Sequence, residues 1–362
     1  MQKDNLSMRQ LLVLLFVALL SPAIRVLPGE TAAVAGEAGW LSSVAAILPA
    51  LLLCWVFLSL LGRFQEGTGL GEAIERVLGK VLGKALLLIY LLWGLVLLCV
   101  NTRLFGQRFL STGYRNSSLW LFIVGLLAVV LWMAWGKLSA FARAGEVFYL
   151  ILALTLGAVL LFAFFNVEKE NVFPVWIKDI KPVLWSGVPV LGVLGYAVFG
   201  AFLGGQVKHM GGDRGRAMRW TAAFCLVLTA LQFINLGNFG PALIARMEQP
   251  FFMMVKAIGV QGAFQRVESV VIALWALSDV VFIGLLTFAC CGISRQLFHL
   301  KEGKHAAPVV TVLALGGSLL LFRDAFQVDR FAQSVVLAGN LVLGFAVPLV
   351  LLGVAALRKG HI

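Results

Sequence analysis

Residues Val183–Leu203 read VLWSGVPVLGVLGYAVFGAFL, an apolar stretch of membrane-crossing length that carries Gly187, Pro189, Gly192, Gly195 and Gly200 through its middle. A helix interrupted this way frees backbone N–H and C=O groups that hydrocarbon cannot satisfy, so the interruption has to face protein, water or a ligand. The stretch is the sixth of ten. The first, Leu11–Leu27, reads LLVLLFVALLSPAIRVL and carries Ser21-Pro22 at a matching depth. Interruptions at corresponding places in two five-span halves point to a transporter-type pocket near the bilayer midplane.

Composition agrees with a membrane-embedded chain: of 362 residues, 61% are hydrophobic and 13% charged, too little polar surface for a water-soluble globule. The other apolar stretches are Trp40–Leu61, Ala85–Val100, Leu119–Trp135, Val147–Phe165, Trp220–Phe239, Val267–Ile293, Val309–Phe322 and Phe331–Leu357. Most reach the roughly 20 residues a crossing needs, Val309–Phe322 being the short one. Residues 1–362 are read as one membrane domain. Its halves, 1–166 and 183–362, each hold an odd number of spans, so any structural repeat between them is inverted. The charged linker Asn166–Pro182 is the seam.

Lys and Arg concentrate in the segments that are cytoplasmic if both termini are cytoplasmic, among them Arg63, Arg76, Lys80, Lys84, Arg214, Arg216, Arg219, Lys301 and Lys304, and that orientation is expected. The formal charge of +12 is then a charge for anionic lipid headgroups; no nucleic-acid pattern interleaves it. Cys54, Cys99, Cys225, Cys290 and Cys291 fall in or beside spans and read as small hydrophobes. His209, His299, His305 and His361 read as solvated surface residues. No metal spacing, cofactor motif or cleavable signal peptide is expected. No Ser-His-Asp order, HExxH, Walker A loop or paired carboxylates appear, so an enzyme is not expected.

Two linkers have character of their own. In Gly62–Lys84, the apolar Ala73, Ile74, Val77, Leu78, Val81 and Leu82 alternate at helical spacing with Glu72, Glu75, Arg76, Lys80 and Lys84, which predicts an amphipathic helix on the inner face. In Gly240–Arg266, Pro250 precedes Phe251, Phe252, Met253, Met254 and Val255, which predicts an outer interfacial helix, either packed on the span ends or acting as a lid.

Several local patterns coincide in order: Gly36-Glu37-Ala38-Gly39-Trp40-Leu41-Ser42, Leu78-Gly79-Lys80-Val81-Leu82-Gly83-Lys84, Ala142-Arg143-Ala144-Gly145-Glu146, Val172-Phe173-Pro174-Val175 after Asn166, and Phe264-Gln265-Arg266-Val267-Glu268 with Trp275 two turns on. Together, over almost the whole chain, they resemble the B subunit of the GerA-type spore germinant receptors. The resemblance implies an all-α fold of the amino acid, polyamine and organocation transporter (APC/LeuT) type: ten transmembrane helices in a 5+5 inverted repeat, helices 1 and 6 discontinuous. It also implies a nutrient-sensing subunit in the spore inner membrane, assembled with A and C subunits and binding a small nutrient such as an amino acid. An active amino acid or cation symporter is the alternative.

Candidate ligand residues follow. Ser21, Pro22 and Ala23 mark the break in span 1, where half-helix ends offer free N–H groups to a carboxylate; Pro22 as a simple kink is the competing reading. Gly195, Tyr196, Phe199 and Gly200 belong to the break in span 6, although Gly200 and Gly204 also have GxxxG packing spacing. Asn101 ends span 3, with Leu97 one turn earlier on the same face. Asp279, beside Val281, is the one acidic side chain deep inside a span. It is either a ligand or cation contact or a structural partner of Arg25 or Arg103. Arg143 and Glu146 are spaced for an i,i+3 salt bridge.

Overall fold

Ser7 caps the first long helix. Its Oγ accepts from the Gln10 N–H at 3.2 Å, and Gln10 Oε1 accepts from the Ser7 N–H at 3.0 Å, the reciprocal cap that a Ser-x-x-Gln sequence supports. From there α1 (Met8–Ala35) runs 28 residues without interruption in the computed structural model, which describes residues 6–65, 67–112, 114, 116–208, 213–258 and 267–358. The expected break at Ser21-Pro22-Ala23 is therefore absent. Proline's fixed φ suits a helix, and only one backbone bond is forgone. Ser278 Oγ donates to Val17 O at 2.6 Å, one residue before Ala18, whose carbonyl Pro22 leaves without its helical donor.

A 3-10 turn, Gly36–Leu41, folds the chain back into α2 (Ile47–Leu61). Gly36 adopts a φ of 57°, and a Cβ on Gly39 would lie 2.9 Å from Thr31 O, so the turn's tightness depends on glycine at both places. The amphipathic helix of the next linker is real but short, Leu70–Leu78, and Gly79 at a φ of 85° separates it from α3 (Lys80–Thr112). Leu70, Ile74 and Val77 are fully buried, so its apolar face docks on the protein instead of resting on lipid. Helix α3 begins before Ala85 and continues 12 residues past Val100, because Leu104, Phe105 and Gly106 still pack in the interior.

The remaining long helices are α4 (Leu119–Trp135), α5 (Leu138–Phe164), α6 (Ile180–Leu194 and Ala197–Phe202), α7 (Arg214–Phe239), α8 (Val267–Leu297), α9 (Ala307–Leu320) and α10 (Ala325–Leu357). Every apolar stretch expected to be a span is thus helical. Among the described residues eight helical runs are long and apolar enough to cross a membrane; α1 and α2 fall within one run of 54 residues, and α4, at 17 residues, is just shorter than those eight runs. Leu48, Trp132, Leu154, Trp185 and Leu320 project from the bundle, an apolar exterior suited to lipid.

Helix α1 is the centre of the bundle, packed by α5, α6, α7 and α8, while α3 packs on α8 and α9, and α10 on α6 and α2. A two-residue parallel pairing, Leu6–Ser7 with Val207–Lys208, ties the entry to α1 to the exit of α6. The break in α6 is present at Gly195-Tyr196. A Cβ on Gly195 would meet Asn340 O at 2.6 Å, and one on Gly344 would meet the Gly195 Cα at 2.6 Å, so the break exists where two backbones touch. On α10 the same region is wound as π-helix on either side of Asn340, at Ala332–Val336 and Val342–Ala346. Such widened turns are frequent at functional sites.

Glu146 pairs with Arg9 at 3.3 Å, not with Arg143. The capped start of α1 carries Arg9 to α5, and a tertiary partner displaces the local one. His209, His361, Phe264, Gln265 and Arg266 lie outside the described residues; His299 is within 3.2 Å of Lys84 Nζ at the protein surface.

Candidate ligand site at the interrupted helix

The candidate residues separate into three places. The first is a narrow cavity with polar side chains on its wall, on the Pro22 side of the α6 break, between α1, α6 and α10. Pro22 and Tyr196 line it, as expected, and so do Arg25, Glu30, Gln333 and Asn340. Asn340 is fixed in orientation: its Nδ2 donates to Gly192 O at 2.9 Å and its Oδ1 accepts from Trp93 Nε1 at 3.1 Å. Arg25 Nη2 donates to Asn101 Oδ1 at 3.1 Å, and Asn101 Nδ2 donates back along its own helix to Leu97 O at 2.8 Å. Asn101 therefore positions the guanidinium, and Leu97 contributes a backbone acceptor. Tyr196 sits among Arg25, Asn101 and Asn340, its ring held edge-on by Phe282 at 4.9 Å. Gly195 shapes the break without lining the cavity.

The second place is a closed triangle of buried polar groups behind the cavity. Arg108 of α3 donates through Nη1 to Asp279 Oδ2 of α8 at 3.1 Å and to Ser21 Oγ of α1 at 3.1 Å, and the Ser21 hydroxyl donates to Asp279 Oδ1. Both charged side chains are 5% exposed. Asp279 is thus an ion-pair partner, but of Arg108 and not of Arg25 or Arg103; Arg103 donates instead to Ser318 O at 3.4 Å. A buried pair of this kind is kept because removing either member strands the other charge. Ala23 and Val281 are fully buried beside this region.

The third place is an apolar cavity of about 120 Å³ on the other side of the α6 break, bounded by α1, α2, α6 and α7. Gly200 lines it, with a virtual Cβ 2.8 Å from Leu15 Cδ2, so Gly200 belongs to this chamber and not to the polar cavity. Phe199 is fully buried against Gly94 and Phe202 and lines neither.

Sequence reading missed Arg108, Glu30 and Asn340 as site residues. A signal existed for two of them. Asn340 is one of two amides, with Gln333, in the apolar stretch Phe331–Leu357, and Arg108 falls two turns beyond Asn101 on a helix whose apolar face had not ended.

A central helix lying against a helix broken at mid-depth, with polar groups gathered at the break, defines a membrane protein of the LeuT transporter fold. The chain superposes on MhsT, solved in complex with L-phenylalanine, with a TM-score of 0.65 at 13% identity, over 98% of this chain and 99% of that one. It belongs to the spore germination protein family, whose profile matches residues 5–322. It is 22% identical over 317 residues to spore germination protein KB of Bacillus subtilis (strain 168), covering 85% of this chain and 82% of that protein.

Proposed function

We propose that the chain is the nutrient-sensing subunit of a spore germinant receptor and that the polar cavity at the α6 break receives a small zwitterion, an amino acid above all. The observation that carries this is the presence of Arg25 and Glu30 on the wall of one cavity. Among the described residues these two are not ion-paired with each other. A guanidinium pre-positioned by Asn101 suits a carboxylate, and the Glu30 carboxylate suits an ammonium group. The Tyr196 and Asn340 side chains supply the few fixed polar groups that orient a ligand in a mostly apolar pocket; the free space is about 30 Å³, so an amino acid enters as the α6 and α10 walls part. Binding at a broken helix, where α6 and α10 meet backbone to backbone, favours one arrangement of those two helices and thereby signals to partners, here A and C subunits in the spore inner membrane, with both termini on the cytoplasmic side.

The shared fold with MhsT supports the alternative of an active amino acid or cation symporter. Purified protein in detergent, titrated with amino acids and read by thermal midpoint, tests binding; uptake of labelled amino acid by the lone subunit in vesicles separates the readings. Saturable stabilisation without uptake supports the sensor. Uptake supports the symporter.

A further inference from the structure

On the other flank of α1, against the same Arg25, lies a small chamber of about 10 Å³, room for one water-sized group, whose wall includes Arg25, Arg108, Gln249, Phe251, Phe252 and Trp275. The outer helix Pro250–Ile258 closes it: Phe251 and Phe252 are buried with their rings 6.3 and 5.3 Å from that of Trp275. Beneath them the Arg108 guanidinium stacks on the Trp275 ring at 5.1 Å. Two donors on this wall have no acceptor. Arg108 Nη2 and Trp275 Nε1 are both fully buried and unpartnered, on residues only 4% and 5% exposed.

Orphaned buried N–H groups are rare and call for a partner. Nη1 of Arg108 is occupied by Asp279 and Ser21, so Nη2 is spare. The charge balance points the same way: Asp279 offsets one of two guanidinium groups, and although Arg25 also interacts with the more distant Asp329, no carboxylate lines the chamber itself. An anion accepts both N–H groups and also offsets the second guanidinium, which a water would not. Gln249 donates through its amide nitrogen to Ser111 Oγ at 2.9 Å.

We propose that this chamber binds a small monovalent anion, a halide or the carboxylate of a one-carbon acid, held by Arg108 Nη2 and Trp275 Nε1 under the Phe251-Phe252 lid. The site shares Arg25 with the zwitterion cavity on the opposite flank of α1, but Arg108 and Trp275, which carry its two donors, are not on that cavity's wall.

The test uses the full-length protein in detergent, its thermal midpoint followed as sodium gluconate is replaced at constant ionic strength by sodium chloride in one series and sodium formate in another. A saturable rise is expected with at least one, and which of them gives it distinguishes a halide site from a carboxylate pocket. Trp275→Phe keeps the ring packing and removes one donor, and it is expected to raise the half-saturating concentration about tenfold. Arg108→Lys, which keeps the positive charge beside Asp279 and removes the Nη2 donor, provides the same comparison if Trp275→Phe does not fold. No rise over gluconate with either salt, or an unchanged half-saturating concentration in the variants, overturns the proposal.

Discussion

Asp279→Asn removes the charge but nearly none of the volume from the triangle of Ser21, Arg108 and Asp279. At the observed 3.1 Å, and with the effective dielectric of about 20 that suits buried sites, the lost attraction is about 5 kcal/mol. Against this stands the relief of carboxylate desolvation, so the expected net loss is about 3–5 kcal/mol, the usual consequence of stranding one member of a buried pair. A kilocalorie shifts the midpoint about 2–4 °C in domains of 150–250 residues, and less in a longer chain, which gives a fall on the order of 5–10 °C in detergent. Arg108→Met in the Asp279→Asn background withdraws the stranded cation and leaves the amide to bond Ser21. The double variant is expected to regain more than half the loss, since replacing both charges is often near neutral. An unchanged midpoint in Asp279→Asn, or a double variant less stable than the single, would refute the reading of Asp279 as the counter-charge of Arg108.

Gly195→Leu should lower the amount of folded protein, because its side chain would have to displace the Asn340 and Gly344 backbones; normal levels in membrane extracts would count against the backbone contact. Glu248, in the segment between α7 and α8, has its carboxyl pushed above the ordinary range by burial, with a contribution from the Asp329 carboxylate. A carboxyl raised in the folded state binds more protons there than in the unfolded chain, so its contribution worsens as pH rises through the carboxylate range; Glu248→Gln is expected to raise the midpoint at pH 7 and leave it unchanged near pH 4, and a gain equal at both would refute this. For orientation, single cysteines at Ser7 and Gln65, in a background without the native five, should resist an impermeant reagent applied outside, and one at Lys169 should react; the reverse pattern would invert the topology.

The apolar stretches were legible because membrane length and composition leave few alternatives, and the α6 break was legible because five glycine and proline positions fall within it. Pro22 misled, since the same residue marks a broken helix or an intact one, and here α1 continues through it to Ala35. The partner of Asp279 was hidden by the polar run Asn101-Thr102-Arg103, which resembles a span end although α3 continues to Thr112 and carries Arg108 inward. Arg25 and Glu30 were visible as charges near a span end. Their meeting on one cavity wall with Asn340 depends on how α10 packs against the α6 break, and no local pattern encodes that.

The account rests most directly on the zwitterion cavity. Equilibrium binding of amino acids to the purified wild-type chain, repeated on Arg25→Gln and Glu30→Gln, is the measurement that examines it. At least one zwitterionic amino acid is expected to bind saturably, and each variant to weaken it about tenfold or more, the value of one charge-assisted hydrogen bond. Binding that is equally strong in both variants, or no saturable binding of any amino acid to the wild-type chain, would contradict it.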